Sequence, residues 1–199
     1  LVLNHLDLYI GIYKQCRKKW LKMVTKINNI LPFQTNKDII QMLINEARWK
    51  ITSDTGRFEG EERNTDVNKM LDKNINNAGF SHVTFDRKFN LHIDTPFNLY
   101  GDIIFYTIKN KLKTIKTLHR IYWNYYDTSS KPALHKDELE DGYYSIIYNL
   151  HTNDGGTEIN NKFYPSIEGQ ALIFPSNVWH KGIASTEFKH RFNLNMIVK

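Results

Sequence analysis

A chain of 199 residues is long enough for one domain with a substantial core, and the expectation is a single domain over 1–199. Its only cysteine, Cys16, excludes an intrachain disulfide and a cysteine-rich zinc site, and it fits a reducing setting. No apolar run approaches the roughly 20 residues of a membrane-spanning helix, and Leu1-Val2-Leu3-Asn4 lacks the charged-then-apolar order of a secretion signal, so the expected location is cytoplasmic with no membrane partner. The first residue is not Met, which fits a trimmed chain or a portion of a longer protein.

The net charge of +6 is concentrated in two runs: Lys14, Arg17, Lys18, Lys19, Lys22 and Lys26, then Lys109, Lys111, Lys113, Lys116 and Arg120. Either run would attract an acidic partner. Neither is interleaved with the aromatic residues of a base-stacking platform, so both read as solvated helical faces.

In chain order, Leu6 to Ile30 has few breakers and frequent apolar positions, which predicts a helix ending before Pro32. Thr35-Asn36-Lys37-Asp38 then reads as a capping box. Ile39, Ile40, Leu43, Ile44 and Ala47 recur at helical spacing up to Trp49. Residues Thr52 to Asn68 combine Gly56 and Gly60 with many charges, as an exposed loop over a site or a plain surface loop would. Another helix is predicted to start at Asp94 or Thr95, with Pro96 in its first turn, and to run through Ile103, Ile104 and Ile108.

After Leu118 the pattern changes to short runs of Tyr, Ile, Phe and Val between turn signals. Strands are predicted at Leu118 to Asp127, Tyr143 to Leu150, Ala171 to Phe174 and Arg191 to Val198. In the last of these, Phe192, Leu194, Met196 and Val198 share one face while Arg191, Asn193 and Asn195 share the other. Three such polar groups buried without partners would cost several kcal/mol, so this face must meet solvent or line a polar pocket. The stretch Ile121 to Tyr126 repeats the theme, with Tyr122, Asn124 and Tyr126 on one side. Such strands suggest a sandwich or barrel, and a barrel with a wet interior satisfies both faces.

Candidate chemistry is concentrated in the same half. Positions i and i+2 of a strand share a face, so His135 and Asp137 can reach one ion while Lys136 points away. Two imidazoles and one carboxylate leave open positions on an octahedral metal, a ligand set suited to non-haem Fe(II). Taken alone, His135-x-Asp137 is a common surface pair. Its weight comes from His180, which follows a strand ending in Phe174-Pro175-Ser176, and from Arg191 beyond it, whose guanidinium can pair bidentately with a carboxylate. His5, His82, His92, His119, His151 and His190 have no second ligand at useful spacing and read as surface or hydrogen-bonded histidines.

Residues of roughly 118–199 resemble the catalytic core of the Fe(II)/2-oxoglutarate-dependent dioxygenases, in particular the prolyl 4-hydroxylase-like branch. The resemblance implies a mainly β chain with flanking helices (α+β): a double-stranded β-helix, or jelly-roll, core at 118–199, with helices of a supporting, substrate-side region at 1–117 packed on one sheet. It further implies that His135, Asp137 and His180 bind Fe(II) and that Arg191 pairs with the distal carboxylate of 2-oxoglutarate. Tyr126 matches the family tyrosine that contacts the same co-substrate. Gly155-Gly156-Thr157 matches a turn after the strand that follows the metal-binding pair, and Phe174 matches the apolar residue before the second histidine. The implied reaction uses dioxygen, releases succinate and carbon dioxide, and hydroxylates a peptide, protein or small-molecule substrate.

Two departures bear on this reading. The branch often carries Lys at the position of Arg191, and Asn193 stands where some relatives have Ser, placed to hydrogen-bond the same carboxylate. The run Arg191-Phe192-Asn193-Leu194-Asn195 is also similar to that of nucleic-acid repair dioxygenases, but Ile197 replaces their second arginine. A nucleic-acid-modifying oxygenase, a cupin-like metal protein without 2-oxoglutarate, and a binding jelly roll with an inactive metal site are the competing readings. The substrate is not encoded in the core motif.

Overall fold

The computed structural model describes residues 24–52, 79–132 and 134–199. Cys16, most of the first basic run, most of the predicted first helix and the charged Thr52 to Asn68 stretch beyond its first residue lie outside the described residues. Fourteen residues, Phe33–Glu46, form helix α1 and sixteen, Pro96–Lys111, form α2. The strands are β1 (Thr25–Ile27), β2 (Lys50–Thr52), β3 (Gly79–Asp86), β4 (Leu91–His92), β5 (Leu118–Asp127), β6 (Tyr144–Asn149), β7 (Asn153–Ile159), β8 (Lys162–Ser166), β9 (Ala171–Pro175), β10 (His180–Ile183) and β11 (His190–Val198).

All pairings are antiparallel. The larger sheet runs β1-β9-β6-β11-β5-β3-β2, with β4 beside β3, and the smaller runs β10-β7-β8. The smaller sheet gains a further edge at His135. That residue forms a bridge with His180, each backbone N–H donating to the other's carbonyl at 2.8 and 2.9 Å. The Asp137 N–H continues the edge by donating to the Ser176 carbonyl at 3.0 Å. Two antiparallel sheets with helices on one of them form the expected jelly-roll architecture.

The alternation of β11 separates two environments. Phe192, Leu194, Met196 and Val198 join Trp123, Ile146 and Tyr148 in a core that also contains Ile39 and Leu43 of α1 and Ile104 and Ile108 of α2. This apolar layer between helices and sheet supplies most of the hydrophobic stabilisation. The opposite face of β11 points between the sheets, where Ile147, Ile159, Leu172 and Phe174 form a smaller apolar cluster. Arg191, Asn193 and Asn195 are buried beside it.

Several expectations change. Residues 24–30 are not helical: β-branched Thr25 and Ile27 favour a strand, and Thr25 pairs with Ile173 at the edge of the larger sheet before Asn29 turns the chain with φ of 55°. Helix α1 starts earlier than the capping-box pattern indicates, with Pro32 at its N-cap and no side-chain cap, and ends before Trp49. Asn36, the second residue of that pattern, instead accepts the buried Tyr148 hydroxyl at 2.6 Å. Helix α2 begins at Pro96 after Thr95, as expected. The N-terminal half also contributes sheet, because β3 pairs with β5 along much of its length. Among the described residues, no helix is long and apolar enough to cross a membrane.

Candidate metal centre and anion pocket

His135, Asp137 and His180 converge. Each offers one ligand atom, and these atoms lie within 4.8 Å of one another. His180 Nε2 is 3.3 Å from Asp137 Oδ2, and His135 Nε2 is 4.0 Å from Asp137 Oδ1. The two-way backbone bridge between the histidines brings their rings to 4.4 Å between centroids. Phe174 packs its ring at 4.8 Å from that of His180, fixing the imidazole from the apolar side.

The hydrogen bonds prepare these groups as ligands. The His180 Nδ1–H donates to the Val178 carbonyl at 2.9 Å, which leaves the Nε2 lone pair facing Asp137. That Nε2 is buried without a hydrogen bond, an arrangement that a bound cation would satisfy. Burial pushes the Asp137 carboxyl up, but Arg120, then His180 and His135, hold it well below the usual carboxylate range. The carboxylate is therefore charged, as a metal ligand must be.

Asp137 also has partners absent from the motif. Arg120 Nη2 donates to Oδ1 at 2.5 Å, while the Ser145 hydroxyl and the Asn195 amide donate to Oδ2 at 2.6 and 3.4 Å. The sequence groups Arg120 with a solvated basic face; instead it starts the inward row of β5, and its side chain is only 16% exposed. The row it shares with Tyr122, Asn124 and Tyr126 was legible as strand alternation, but the lysines preceding Arg120 obscured it. Ser145 carried no sequence signal.

A second polar locus lies further along β11. Arg191 is fully buried and cross-strand from Tyr126, with its guanidinium carbon 5.1 Å from the Tyr126 ring centroid. Nη2 donates to the Thr157 hydroxyl at 3.4 Å; Gly155-Gly156-Thr157 is not the expected turn but lies within β7, so Thr157 reaches Arg191 from the smaller sheet. With its amide oxygen turned toward the guanidinium, Asn193 accepts from Nη1 and Nη2 at 3.2 and 3.3 Å, so it orients Arg191. Arg191 Nε has no partner, and no carboxylate among the described residues pairs with this cation. Burial draws its pKa down and Tyr126 opposes the shift. A buried cation in this state is unfavourable until an anion joins it, and a carboxylate matches its two-pronged donor geometry.

All six residues expected at the site thus lie on or beside the space between the sheets. Tyr126 owes its position partly to Gly182, where a Cβ would come within 3.0 Å of the Tyr126 ring and hydroxyl.

No protein-family model matches the sequence, and neither does any curated protein. The fold, however, matches solved structures. A prolyl 4-hydroxylase from Pseudomonas putida aligns at TM-score 0.59 with 12% identity, over 88% of this chain and 91% of that one. HygX from Streptomyces hygroscopicus, solved with nickel and 2-oxoglutarate bound, aligns at 0.55 with 10% identity, over 99% and 87%. A Trichoplax adhaerens prolyl hydroxylase, in complex with a hypoxia-inducible-factor oxygen-degradation-domain peptide fragment, aligns at 0.54 with 14% identity, over 88% and 82%. The fold of this chain is similar to that of solved 2-oxoglutarate/Fe(II) oxygenases, prolyl 4-hydroxylases among them.

Proposed function

We propose that the chain is an Fe(II)- and 2-oxoglutarate-dependent dioxygenase that hydroxylates a peptide, protein or small molecule, all within one domain. One observation carries this reading: a two-histidine, one-carboxylate cluster shares the inter-sheet space with a buried arginine that has no anionic partner among the described residues. His135, Asp137 and His180 would hold the metal. Arg191 would take the far carboxylate of 2-oxoglutarate, with Tyr126 beside it and Asn193 orienting the guanidinium. Along β11 the step from Arg191 to Asn195, which touches Asp137, is about 13 Å between Cα atoms, a span that two side chains and a five-carbon dicarboxylate can bridge. The nickel and 2-oxoglutarate bound in HygX support the same pairing of ligands.

When bound, iron and 2-oxoglutarate supply dioxygen chemistry that releases succinate and carbon dioxide and hydroxylates the substrate. The chain's own residues do the rest. The Val178 carbonyl fixes the His180 tautomer, Arg120 keeps Asp137 ionised, and the two sheets exclude water from Arg191 so that its pairing is strong. A buried arginine without a carboxylate partner among the described residues, in the same inter-sheet space as the cluster, favours this over a cupin-like protein without 2-oxoglutarate. The peptide bound to the Trichoplax neighbour supports a peptide or protein substrate.

The test is iron-dependent succinate formation from 2-oxoglutarate, with peptide, amino-acid and oligonucleotide panels used to find the substrate that stimulates it. His135→Ala and Asp137→Ala are expected to abolish succinate release. Full activity in both would sink the assignment, and stimulation by oligonucleotides alone would transfer it to nucleic-acid modification.

A further inference from the structure

We propose that Arg120 is a positioning residue of the metal centre: it confines Asp137 to a single metal bond, so that the adjoining coordination position stays open for 2-oxoglutarate. This inference rests on the function proposed above and concerns a residue that the ligand motif does not contain.

Strand β5 presents Arg120, Tyr122, Asn124 and Tyr126 to the inter-sheet space. Tyr126 pairs in register with Arg191 and Arg120 with Ile197, so one strand serves the anion pocket at one end and the carboxylate ligand at the other. Cross-strand from Arg120 sits a side chain that cannot hydrogen-bond to the guanidinium, which is instead committed to Asp137 at 2.5 Å.

The guanidinium is held from its other side. Its carbon lies 4.4 Å from the Tyr122 ring centroid, and the Tyr122 hydroxyl donates to buried Asp86 Oδ2 at 2.8 Å. Asp86 is itself fixed where β3 ends, its Oδ1 accepting the Lys88 N–H at 3.0 Å. Asp86, Tyr122 and Arg120 therefore form a clamp built on β3 and β5 that closes on Asp137.

Counting acceptor positions shows what the clamp does. An ionised carboxylate has about four lone-pair positions. Arg120 occupies one on Oδ1, and Ser145 and Asn195 face Oδ2. Room remains for one metal bond, on Oδ1, whereas chelation by both oxygens would require releasing Ser145 or Asn195 from Oδ2 and turning the carboxylate against its 2.5 Å bond to Arg120. Two histidines and a singly bound carboxylate leave three positions of an octahedral ion open. A chelating Asp137 would take one of them from the co-substrate.

The test uses the whole chain loaded with Co(II) without oxygen, read by its visible absorption before and during titration with 2-oxoglutarate. Arg120→Met should change the Co(II) spectrum before any co-substrate is added and weaken 2-oxoglutarate binding about tenfold. Arg120→Lys, which still donates to Asp137, should stay within about threefold of the parent. Tyr122→Phe keeps the ring but frees it from Asp86, and should shift the spectrum in the same direction as Arg120→Met by a smaller amount. This variant carries the test if Arg120→Met does not fold, and an unchanged Tyr122→Phe spectrum overturns the clamp. An unchanged spectrum and affinity in Arg120→Met, or an equal loss in Arg120→Lys, likewise overturns the inference while leaving the proposed function standing. Failure of the parent protein to take up Co(II) overturns both.

Discussion

Arg191 and Tyr126 are cross-strand partners on β11 and β5, with the guanidinium carbon 5.1 Å from the ring centroid, and the charge is buried without a carboxylate partner among the described residues. If this cation receives the far carboxylate of 2-oxoglutarate, Arg191→Ala should weaken co-substrate binding by roughly 10- to 150-fold, the worth of a charge-assisted hydrogen bond. Arg191→Lys should recover part of that loss. Calorimetric titration of the metal-loaded protein measures both, and an unchanged affinity in Arg191→Ala removes the residue from the site.

Gly182 bears on the same contact. A Cβ there would come within 3.0 Å of the Tyr126 ring and hydroxyl, so Gly182→Ala must displace the tyrosine. The expected result is a several-fold weaker binding of 2-oxoglutarate with little change in the urea midpoint, because the tyrosine is only partly buried and can yield. Parent-like affinity would show that Tyr126 does not shape the pocket.

Stability should depend on pH through His151. Its Nε2 accepts the Phe192 N–H at 3.3 Å, and burial, then Arg191 and His190, lower its pKa to about 4. An unfolded histidine titrates near 6.5. Between those values the unfolded chain binds more protons, so this contribution is complete above about pH 6.5 and is lost as pH falls toward about 4. Urea unfolding should show the parent losing about 2 kcal/mol more than His151→Gln between about pH 7.5 and about pH 5. Equal losses would mean that His151 is not held neutral by the fold.

Gly156 tests the packing of the smaller sheet. A Cβ there would sit 2.3 Å from the Tyr164 carbonyl oxygen and 2.7 Å from the Phe163 ring, and the first of these is backbone that cannot swing aside. Gly156→Ala should therefore destabilise the protein by roughly 1–3 kcal/mol in urea unfolding. A parent-like midpoint would contradict this close approach of β7 and β8.

The parts of the fold that could be read from sequence are those where one strand face differs sharply from the other. Strand β5 occupies Leu118–Asp127 as the alternation implies, and β11 begins one residue before Arg191. Strands β7 and β8 are harder to read because Gly155, Gly156 and Pro165 are poor strand formers, the two glycines standing where a Cβ would meet neighbouring backbone. The residues of β1 read as the end of a helix because Val24 and Ile27 extend an apolar pattern, while the pairing partner, β9, lies far along the chain. The candidate pair His135 and Asp137 is visible because i, i+2 spacing is local. The support for Asp137 is not, since Arg120, Ser145 and Asn195 meet only through sheet register.

In the proposed enzyme one site binds a divalent metal through His135, Asp137 and His180 and a dicarboxylate through Arg191. Anaerobic titration of the Fe(II)-loaded chain with 2-oxoglutarate tests this arrangement most directly, by following the visible metal-to-ligand charge-transfer band. A saturable band is expected in the parent, with a higher half-saturation in Arg191→Ala and no band in Asp137→Ala. Fe(II) binding by the parent with no band at any 2-oxoglutarate concentration, or an undiminished band in Asp137→Ala, would contradict it.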